Sequence, residues 1–517
     1  YVGGLAGYTA GTVTGSHSEG IVSGTGNYVG GLVGYGVSVD SSNHTKGDVN
    51  GAGYVGGLIG QVSSSVTNSY SEGNVTGTIY VGGLIGNGAL ITASSAKGDI
   101  NGQNYVGGLA GQTTSSVNNS SSEGDVTGQG NYVGGLIGLS YYHYSGKFNE
   151  TVMTAQNSFA IGNVKGKGYV GGLIGLDSIY SSSNGIKNLV KRISNSHSVG
   201  NVIGKDKYVG GVIGKSNYGR CSFSCSDENI SLQTLSSYHK GSIESDSSYV
   251  GGVAGYARGI IDSTYHIDGN VSGNGYVGGL VGYVSSTVSN SYSEGNVTGA
   301  SSYVGGLIGL SYYHYNGSDS SAIAIMTAQN SYATGNVSGK GYVGGLIGLD
   351  SIYISYRPKT LVKKISNSHS VGHVVGKDKY VGGVLGKSNY GYYSSSYISN
   401  ISLQILSSYH KGSIESDSSY VGGVAGYVSG DVDSTYHVDG NVNGSGYVGG
   451  LIGLASSSVK NSYSEGDVTG TGDYVGGLVG RGAAIDVSYH DSGIVSGKSY
   501  VGGLAGYTAG TVTGSHS

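Results

Sequence analysis

The heptapeptide Tyr-Val-Gly-Gly-Leu-Xaa-Gly, or a close variant, begins seventeen times in this chain of 517 residues. Most intervals between successive copies are 25 to 27 residues, and six are 37 to 41 residues. A fixed period of this size predicts stacked structural units rather than a domain folded around one globular core. The repeat runs from residue 1 to residue 517 without a change in composition, so we expect one single continuous array over 1–517.

The unit of residues 54–79 shows which strands one repeat predicts. Residues 54–60, Tyr-Val-Gly-Gly-Leu-Ile-Gly, form a short apolar run with paired glycines, which is typical of a strand with a bulge or a close backbone approach. Residues 65–71 alternate larger side chains with small hydroxyl residues, and this period of two indicates a second strand. Residues 74–77 form a minimal third strand. The pattern predicts an all-β chain, a parallel β-solenoid (β-helix) of about 17 coils with roughly three short strands per coil.

Stacking gives each coil the burial that it lacks alone. A second coil about 4.8 Å away pairs every strand in parallel and covers the apolar face of the first. Five positions are apolar in most repeats and are expected in the interior, namely those of Val55, Leu58, Ile59, Val66 and Val75. Gly57 and Gly60 are expected where a Cβ would obstruct close packing. Tyr54 and its equivalents form a ladder of rings that faces either inward or outward.

Two motifs inside each unit carry a resemblance to a known family. In the unit of residues 54–79 they are Gly-Gly-Leu-Ile-Gly at 56–60 and Ser-Tyr-Ser-Glu-Gly-Asn-Val-Thr-Gly at 69–77. The chain resembles GLUG-motif repeat proteins over essentially its whole length. The resemblance implies a large extracellular, cell-surface protein of a microbe, either an adhesin-like chain or a surface peptidase whose repeats accompany a separate catalytic domain. The sequence contains no His-Glu-x-x-His motif, so the peptidase connection does not transfer.

A longer period is superimposed on the short one. The six long units form two looped blocks, residues 132–248 and 303–419, within two duplicated 171-residue units at 132–302 and 303–473. The extra residues fall between the first and second predicted strands. We therefore expect them to project from one side of the solenoid as clusters of loops.

The inserted residues concentrate the features that depart from the repeat background. These are the basic stretch 187–192, a cysteine pair, and the tyrosines Tyr141, Tyr142, Tyr144, Tyr312, Tyr313 and Tyr315. Such a cluster of exposed aromatic side chains predicts a binding or lateral-assembly surface, because loops on one face of a solenoid commonly carry its contacts. The alternative is that the insertions are tolerated and contact no partner.

Cysteines and sequons bear on the compartment. Cys221 and Cys225 are the two cysteines of the chain, and a local disulfide in a loop is one interpretation while two free thiols is another. A metal site needs more ligands than these two. Several Asn-x-Ser/Thr sequons would permit glycosylation outside a cell, among them Asn43, Asn74, Asn149, Asn270, Asn336 and Asn400. A chain so rich in Asn, Ser and Thr also generates sequons by chance.

Charge and hydropathy limit the partners. The net charge is −4 and the basic residues are scattered, so no stripe can follow a phosphate backbone, and we expect no nucleic-acid partner. The longest apolar runs are far shorter than a membrane span, so we expect no membrane span in this segment. The expected partners are other copies of the chain, with other surface proteins or glycans as further candidates.

Thirteen histidines raise the question of a metal site. Six of them recur near the same place in two sets of three successive coils, namely His197, His239, His266, His369, His410 and His437. The nearby carboxylates keep no fixed spacing, and His239 and His266 suggest a slightly different register from His197, so a solvated or stacked row is favoured over a metal site. No calcium-binding nonapeptide, nucleophile elbow or phosphate loop occurs in the sequence. We expect no cofactor and no enzymatic activity.

Residues 1–18 and 500–517 are identical, and both stop in mid-pattern without a cap. We therefore expect a segment of a longer chain or a unit that continues into its neighbour. The leading hypothesis is a structural component of an extracellular microbial fibre, sheath or surface layer, built by end-to-end and lateral assembly. The alternative is the stalk of a large cell-surface adhesin, and a glycan-degrading β-helix is a third hypothesis.

Overall fold

The computed structural model describes residues 1–144, 150–181, 189–218, 230–246, 248–300, 302–315, 322–354, 360–392, 401–417 and 419–517. The chain forms two compact units. Unit 1 comprises Tyr1–Ser248 and Gly252–Asp268, and unit 2 comprises Tyr249–Gly251 and Gly269–Ser517. Over the described ranges the secondary structure is strand and turn without a helix. No described segment is therefore a helix long and apolar enough to cross a membrane.

In the described residues, the coils that open with Tyr1 to Tyr474 each contain four or five short strands rather than the three expected. One coil of unit 1 has the strands Tyr80–Gly82, Ile85–Gly88, Leu90–Thr92, Ser95–Lys97 and Ile100–Gly102. The paired glycines divide the first expected strand into two. The second is divided by a corner residue with a positive φ, which is 48° at Ala93. Short strands separated by such corners let the chain close one coil every 25 to 27 residues.

Strands of successive coils pair in parallel and in register. Tyr54 pairs with Tyr80, and Gly56 with Gly82. These pairings build four parallel sheets in each unit, which we name A to D in the order in which a coil enters them. Sheet B takes both the second and the third strand of a coil. The expected parallel β-solenoid is thus confirmed in both units.

Sheets A and C carry most of the ring ladders described below. The strands of sheet A in unit 1 are Val2–Gly3, Tyr28–Gly30, Tyr54–Gly56, Tyr80–Gly82, Val106–Gly107, Val133–Gly134, Tyr169–Gly171 and Tyr208–Gly210. Those in unit 2 are Tyr249–Gly251, Tyr276–Gly278, Tyr303–Gly305, Tyr342–Gly344, Tyr380–Gly382, Tyr420–Gly422, Tyr447–Gly449, Asp473–Gly476 and Ser499–Gly502. The strands of sheet C in unit 1 are His17–Glu19, Asn43–Thr45, Tyr70–Glu72, Ser95–Lys97, Ser121–Glu123, Phe159–Ile161, His197–Val199, Tyr238–Lys240 and Tyr265–Ile267. Those in unit 2 are Tyr292–Glu294, Tyr332–Thr334, His369–Val371, Tyr409–Lys411, Tyr436–Val438, Tyr463–Ser464 and Tyr489–His490.

The interior of a coil contains the apolar positions that the repeat predicts. Five side chains of one coil are completely buried, namely Val55, Leu58, Ile59, Val66 and Val75. The expected role of Gly57 is confirmed as well, because a Cβ there would lie 2.0 Å from the carbonyl oxygen of Gly83 and 2.9 Å from Ser71 Oγ. This glycine lets the backbone lie directly against the next coil and against the Ser71 side chain of sheet C.

The opening tyrosines face outward and are half-buried in most coils. The ring centroids of Tyr54 and Tyr80 lie 4.6 Å apart with an interplanar angle of 7°, and those of Tyr447 and Tyr474 lie 4.9 Å apart at 6°. Neighbouring rings cover each other's faces, so ring edges and hydroxyl groups are what a stacked tyrosine presents to solvent. Each stacked pair adds about 0.5–1.5 kcal/mol beyond the area it buries.

A ladder of buried serines lies just after the corner residue, where each coil enters sheet C. The sequence alone predicted no role for these serines. The amide of Ser69 donates to Ser94 Oγ at 3.1 Å, and the amide of Ser94 donates to Ser120 Oγ at 3.2 Å. Ser69 Oγ in turn donates to the carbonyl oxygen of Thr67 at 2.6 Å. Each hydroxyl thereby satisfies a buried backbone amide of the adjacent coil, which would otherwise lack a partner at this corner.

Candidate functional site

The inserted residues lengthen sheet B instead of forming only loops. In unit 1 they belong to the strands Ile137–Tyr144, Glu150–Gln156, Ile174–Ser181, Leu189–Ser194, Ile213–Tyr218 and Ile230–Leu235, which we call wing 1. In unit 2 they belong to Ile308–Tyr315, Ala322–Gln329, Ile347–Ile354, Thr360–Ser366, Leu385–Tyr392 and Ile401–Leu406, which we call wing 2. Successive strands of a wing pair in parallel, as the coils do. The expectation of loops is therefore wrong for the described part of the insertions.

Wing 1 has a hydrophobic core of its own. Tyr144 is only 2% exposed and packs with Ile179, Leu189 and Leu232, while the partly buried Tyr142 lies against this cluster. The strand alternates, so Tyr142 and Tyr144 point to the same side and a second apolar layer covers them. The expectation that Tyr144 is exposed is wrong for this reason.

Tyr142 also makes a polar contact at the edge of this core. Its hydroxyl donates to the carboxylate of Glu150. Burial and the neighbouring Glu150 carboxylate raise the pKa of Tyr142 well above its usual range, burial being the larger cause. The tyrosine is thus held protonated and fixed to the facing strand of the wing.

The other tyrosines predicted to lie at contacts are less deeply buried than Tyr144 where the structure describes them. Tyr141, Tyr312 and Tyr313 are half-buried, and Tyr313 packs against the wing 2 core of Ile352, Ile354 and Leu361. The side chain of Tyr315 lies outside the described part of the structure. A role of these tyrosines at contacts between solenoids stays a prediction.

A buried ion pair in wing 1 joins Asp177 to Lys191, whose side chains are 3% and 1% exposed. Lys191 Nζ also donates to Ser140 Oγ at 2.9 Å and to the Ser178 carbonyl oxygen at 3.0 Å. Thr154 Oγ1 donates to the Asp177 carboxylate, at 3.1 Å and 3.2 Å from its two oxygens. Burial lowers the pKa of Lys191, and the contact with Asp177 opposes that shift.

The basic stretch 187–192 is therefore not a continuous surface patch. Lys191 is buried, and Arg192 donates from Nε and Nη2 to Gln233 Oε1 at 2.9 Å and 2.7 Å. Lys187 lies outside the described residues. Strand alternation is the signal that would have revealed this, because Lys191 lies between Leu189 and Ile193 on one face of its strand.

Wing 2 repeats the ion pair with the equivalent residues. Asp350 and Lys363 are in contact and essentially inaccessible to solvent. Lys363 Nζ donates to Ser311 Oγ at 2.8 Å and to the Ser351 carbonyl oxygen at 3.1 Å. Thr327 Oγ1 donates to Asp350 Oδ2 at 2.9 Å. An aspartate, a serine and a threonine side chain, with one serine carbonyl oxygen, thus lie around a buried lysine in both wings.

The interior column of sheet C in unit 1 holds serine in several coils, and three histidines, His44, His239 and His266, replace it in others. His239 and His266 occupy this column, and their ring centroids lie 5.6 Å apart. His239 Nδ1 is 2.9 Å from Ser198 Oγ, and His266 Nε2 is 2.9 Å from the Gly241 carbonyl oxygen. Burial is the main cause that lowers the pKa of His239 well below its usual value and that of His266 to about 4. Both rings are therefore neutral at pH 7.

His410 and His437 repeat the arrangement in unit 2, with centroids 5.5 Å apart and the pKa of His437 lowered to about 4 by burial. The row is stacked, as one interpretation of the sequence had it, but these rings are buried and not solvated. Among the residues that the structure describes, no three histidine, cysteine or carboxylate side chains come close enough to share a metal ion.

His197 belongs to the outer ladder of sheet C and not to the interior column. Its ring stacks on Phe159 at 5.3 Å and on Tyr238 at 4.6 Å. His369 does the same between Tyr332 and Tyr409 in unit 2. The different register expected for His197 is confirmed.

Cys221, Cys225, Asn149 and Asn400 lie outside the described residues. Asn74, Asn270 and Asn336 lie in exposed turns, and the Oδ1 atom of each accepts an amide N–H from the next coil. For Asn74 this donor is Asp99, at 2.8 Å. Asn43 is half-buried in sheet C. Glycosylation at these positions stays a prediction.

Comparison with known proteins identifies the repeat. The family model described as "The GLUG motif" matches residues 51–76, 102–127, 273–298 and 444–469. All four matches fall on short coils, and each includes a sheet A strand and ends in sheet D. Neither the curated proteins nor the solved structures contain a significant match to the chain. The four matched repeats make this chain a GLUG-repeat protein.

Proposed function

We propose that the chain is a structural component of an extracellular microbial fibre, sheath or surface layer, with no enzymatic activity of its own. One observation carries this proposal: backbone strands pair in register between successive coils of each unit. Stacked tyrosine rings and serine hydrogen bonds join the same successive coils. A force along the stack is shared among many parallel hydrogen bonds in each coil. Such a body serves as a scaffold without needing a cleft for a substrate.

Assembly follows from the same pairing rule. The strands of one coil recognise the next through backbone groups, which are alike in every coil, so a coil of a second molecule can offer the same partners. We therefore propose end-to-end association of copies. Lateral contacts are assigned to the wings, where Tyr141 and Tyr312 remain partly accessible. Other surface proteins or glycans are further partners in this proposal.

The stalk of a large cell-surface adhesin is the second candidate. It is favoured because the wings occur in only two groups of three coils, and the short coils have no such inserted residues. In that case the wings present a contact surface and the short coils act as spacers. The two candidates differ in whether copies of the chain associate with each other.

The test is electron microscopy of native material with an antibody to the chain, together with light scattering of the purified 517-residue chain over a range of concentrations. We expect filaments or laminated sheets outside the cell and a scattering mass that grows with concentration. A matched pair of variants, Tyr141→Ser and Tyr312→Ser, should reduce lateral bundling while leaving single filaments. If light scattering instead shows a compact monomer at high concentration, and microscopy shows isolated projections at the cell surface, the stalk is favoured.

A further inference from the structure

The buried lysines of the two wings have surroundings unlike those of an ordinary surface ion pair. Lys191 and Lys363 are each about 1% exposed and contact one carboxylate, that of Asp177 or Asp350. Moving two charges out of water is expensive, and their mutual attraction only partly offsets it. Transfer of one proton from the ammonium group to the carboxylate removes both charges. The result is a neutral amine in contact with a carboxylic acid.

We propose that Lys191 with Asp177, and Lys363 with Asp350, form intramolecular isopeptide bonds. Lys Nζ gives its first proton to the carboxylate and then attacks Asp Cγ with the freed electron pair. A second proton moves from nitrogen to the departing hydroxyl, the C–O bond breaks, and one water leaves. One amide bond forms for each water lost. The step is redox-neutral and needs no co-reactant.

The neighbouring groups in wing 1 suit this step. Ser140 Oγ and the Ser178 carbonyl oxygen accept N–H bonds from Lys191 and hold the amine against the carboxyl group. Thr154 Oγ1 donates to the Asp177 carboxylate, which places a hydrogen-bond donor where negative charge develops during the attack. Fixed contact between two reacting groups is equivalent to a very high local concentration, on the order of 10⁵–10⁸ M for well-oriented pairs.

The bond would alter how a wing unfolds. Asp177 lies in the strand Ile174–Ser181 and Lys191 in Leu189–Ser194, so the amide would close residues 177–191 into a covalent ring. Both strands of the coil would then stay together even when the wing core opens. This inference does not depend on the proposed extracellular role, because it concerns the chain alone.

The test is the intact mass of the purified 517-residue chain after denaturation, measured by mass spectrometry. We expect a mass lower than that of the sequence by two waters, with branched peptides that join Lys191 to Asp177 and Lys363 to Asp350. A mass equal to that of the sequence would overturn the proposal, since noncovalent ion pairs do not survive denaturation. Water loss that maps to other residues would overturn it equally.

Matched variants identify the two bonds separately. Lys191→Arg keeps a cation for Asp177 but removes the primary amine that forms the amide, so this variant should lose only one water relative to its own sequence. Lys363→Arg should do the same for the other wing, and the double variant should lose none. Retention of both water losses in the double variant would contradict the assignment to these lysines.

Discussion

His239 and His266 stack face to face in the interior of unit 1, with centroids 5.6 Å apart and ring planes inclined by only 7°. Several other coils have a serine in this column, such as Ser71 or Ser464, whose hydroxyl donates to a glycine carbonyl oxygen. The ring fits because the glycine opposite has no side chain, and a Cβ at Gly211 would lie 2.2 Å from His239 Cγ. The column therefore has room for an imidazole ring. Burial lowers the pKa of both rings, and no carboxylate contributes an opposing shift that would stabilise an imidazolium.

The two histidines should therefore make unit 1 sensitive to acid. The pKa of His266 is lowered to about 4 in the folded chain, against about 6.5 in an unfolded one. Between these values the unfolded state binds more protons, so the free energy of unfolding falls as the pH drops from about 6.5 towards 4. The full loss for His266 is about 3 kcal/mol. Protection of residues 238–267 against hydrogen exchange should fall over this range, while that of residues 106–134, whose column residue Ser122 lies between two alanines, should change less.

The matched control for this prediction is the double variant His239→Ser and His266→Ser, which installs the residue that other coils use in this column. It should keep its protection to lower pH than the wild type, although carboxylates titrate below pH 5 in both. Identical pH profiles for the variant and the wild type would show that the buried imidazoles are not the cause.

The coil and its interior could be predicted because one pattern repeats seventeen times and fixes which positions share a face. The register of His197 against His239 followed from the same pattern. The insertions have no such redundancy. The contact between Asp177 and Lys191 joins residues on either side of an insertion, and Tyr144 is buried by a second core that the short repeats do not contain. Alternation groups the side chains of a wing strand by face, as it does Leu189, Lys191 and Ile193, but the second core decides that this face is covered.

Leu58→Asp should open the stack locally. Leu58 is completely buried, so the variant places a carboxylate in a dry interior at a cost of several kcal/mol. Hydrogen exchange by mass spectrometry should show loss of protection in the coil of residues 54–79 and in its neighbours. Ser64→Asp is the control, because Ser64 lies exposed in the same coil and should tolerate the charge. Equal effects of the two variants would contradict the assignment of interior and surface.

Gly57→Ala tests how closely the backbones approach each other. The new Cβ would lie 2.0 Å from the Gly83 carbonyl oxygen, so the backbone must move, which costs about 1–3 kcal/mol. Gly11→Ala is the matched change, since no atom lies within 4 Å of the Cβ position there. Thermal unfolding followed by circular dichroism should be shifted to lower temperature by the first variant only. A Gly57 variant as stable as the wild type would mean that this approach is looser than the structure has it.

Tyr144→Ala should destabilise wing 1 without destabilising the short coils of unit 1. Tyr144 is 2% exposed in the wing 1 core, and truncation of a buried aromatic side chain costs about 3–5 kcal/mol. Each coil contacts mainly its neighbours, so we expect the loss to stay local. Hydrogen exchange should rise in Ile137–Tyr144 and Glu150–Gln156 but not in residues 54–107. Tyr141→Ala, which changes a half-buried ring on the opposite face of the same strand, three residues from Tyr144, should leave the wing protected. If it exposes the wing as much as Tyr144→Ala does, the core of wing 1 does not depend on Tyr144.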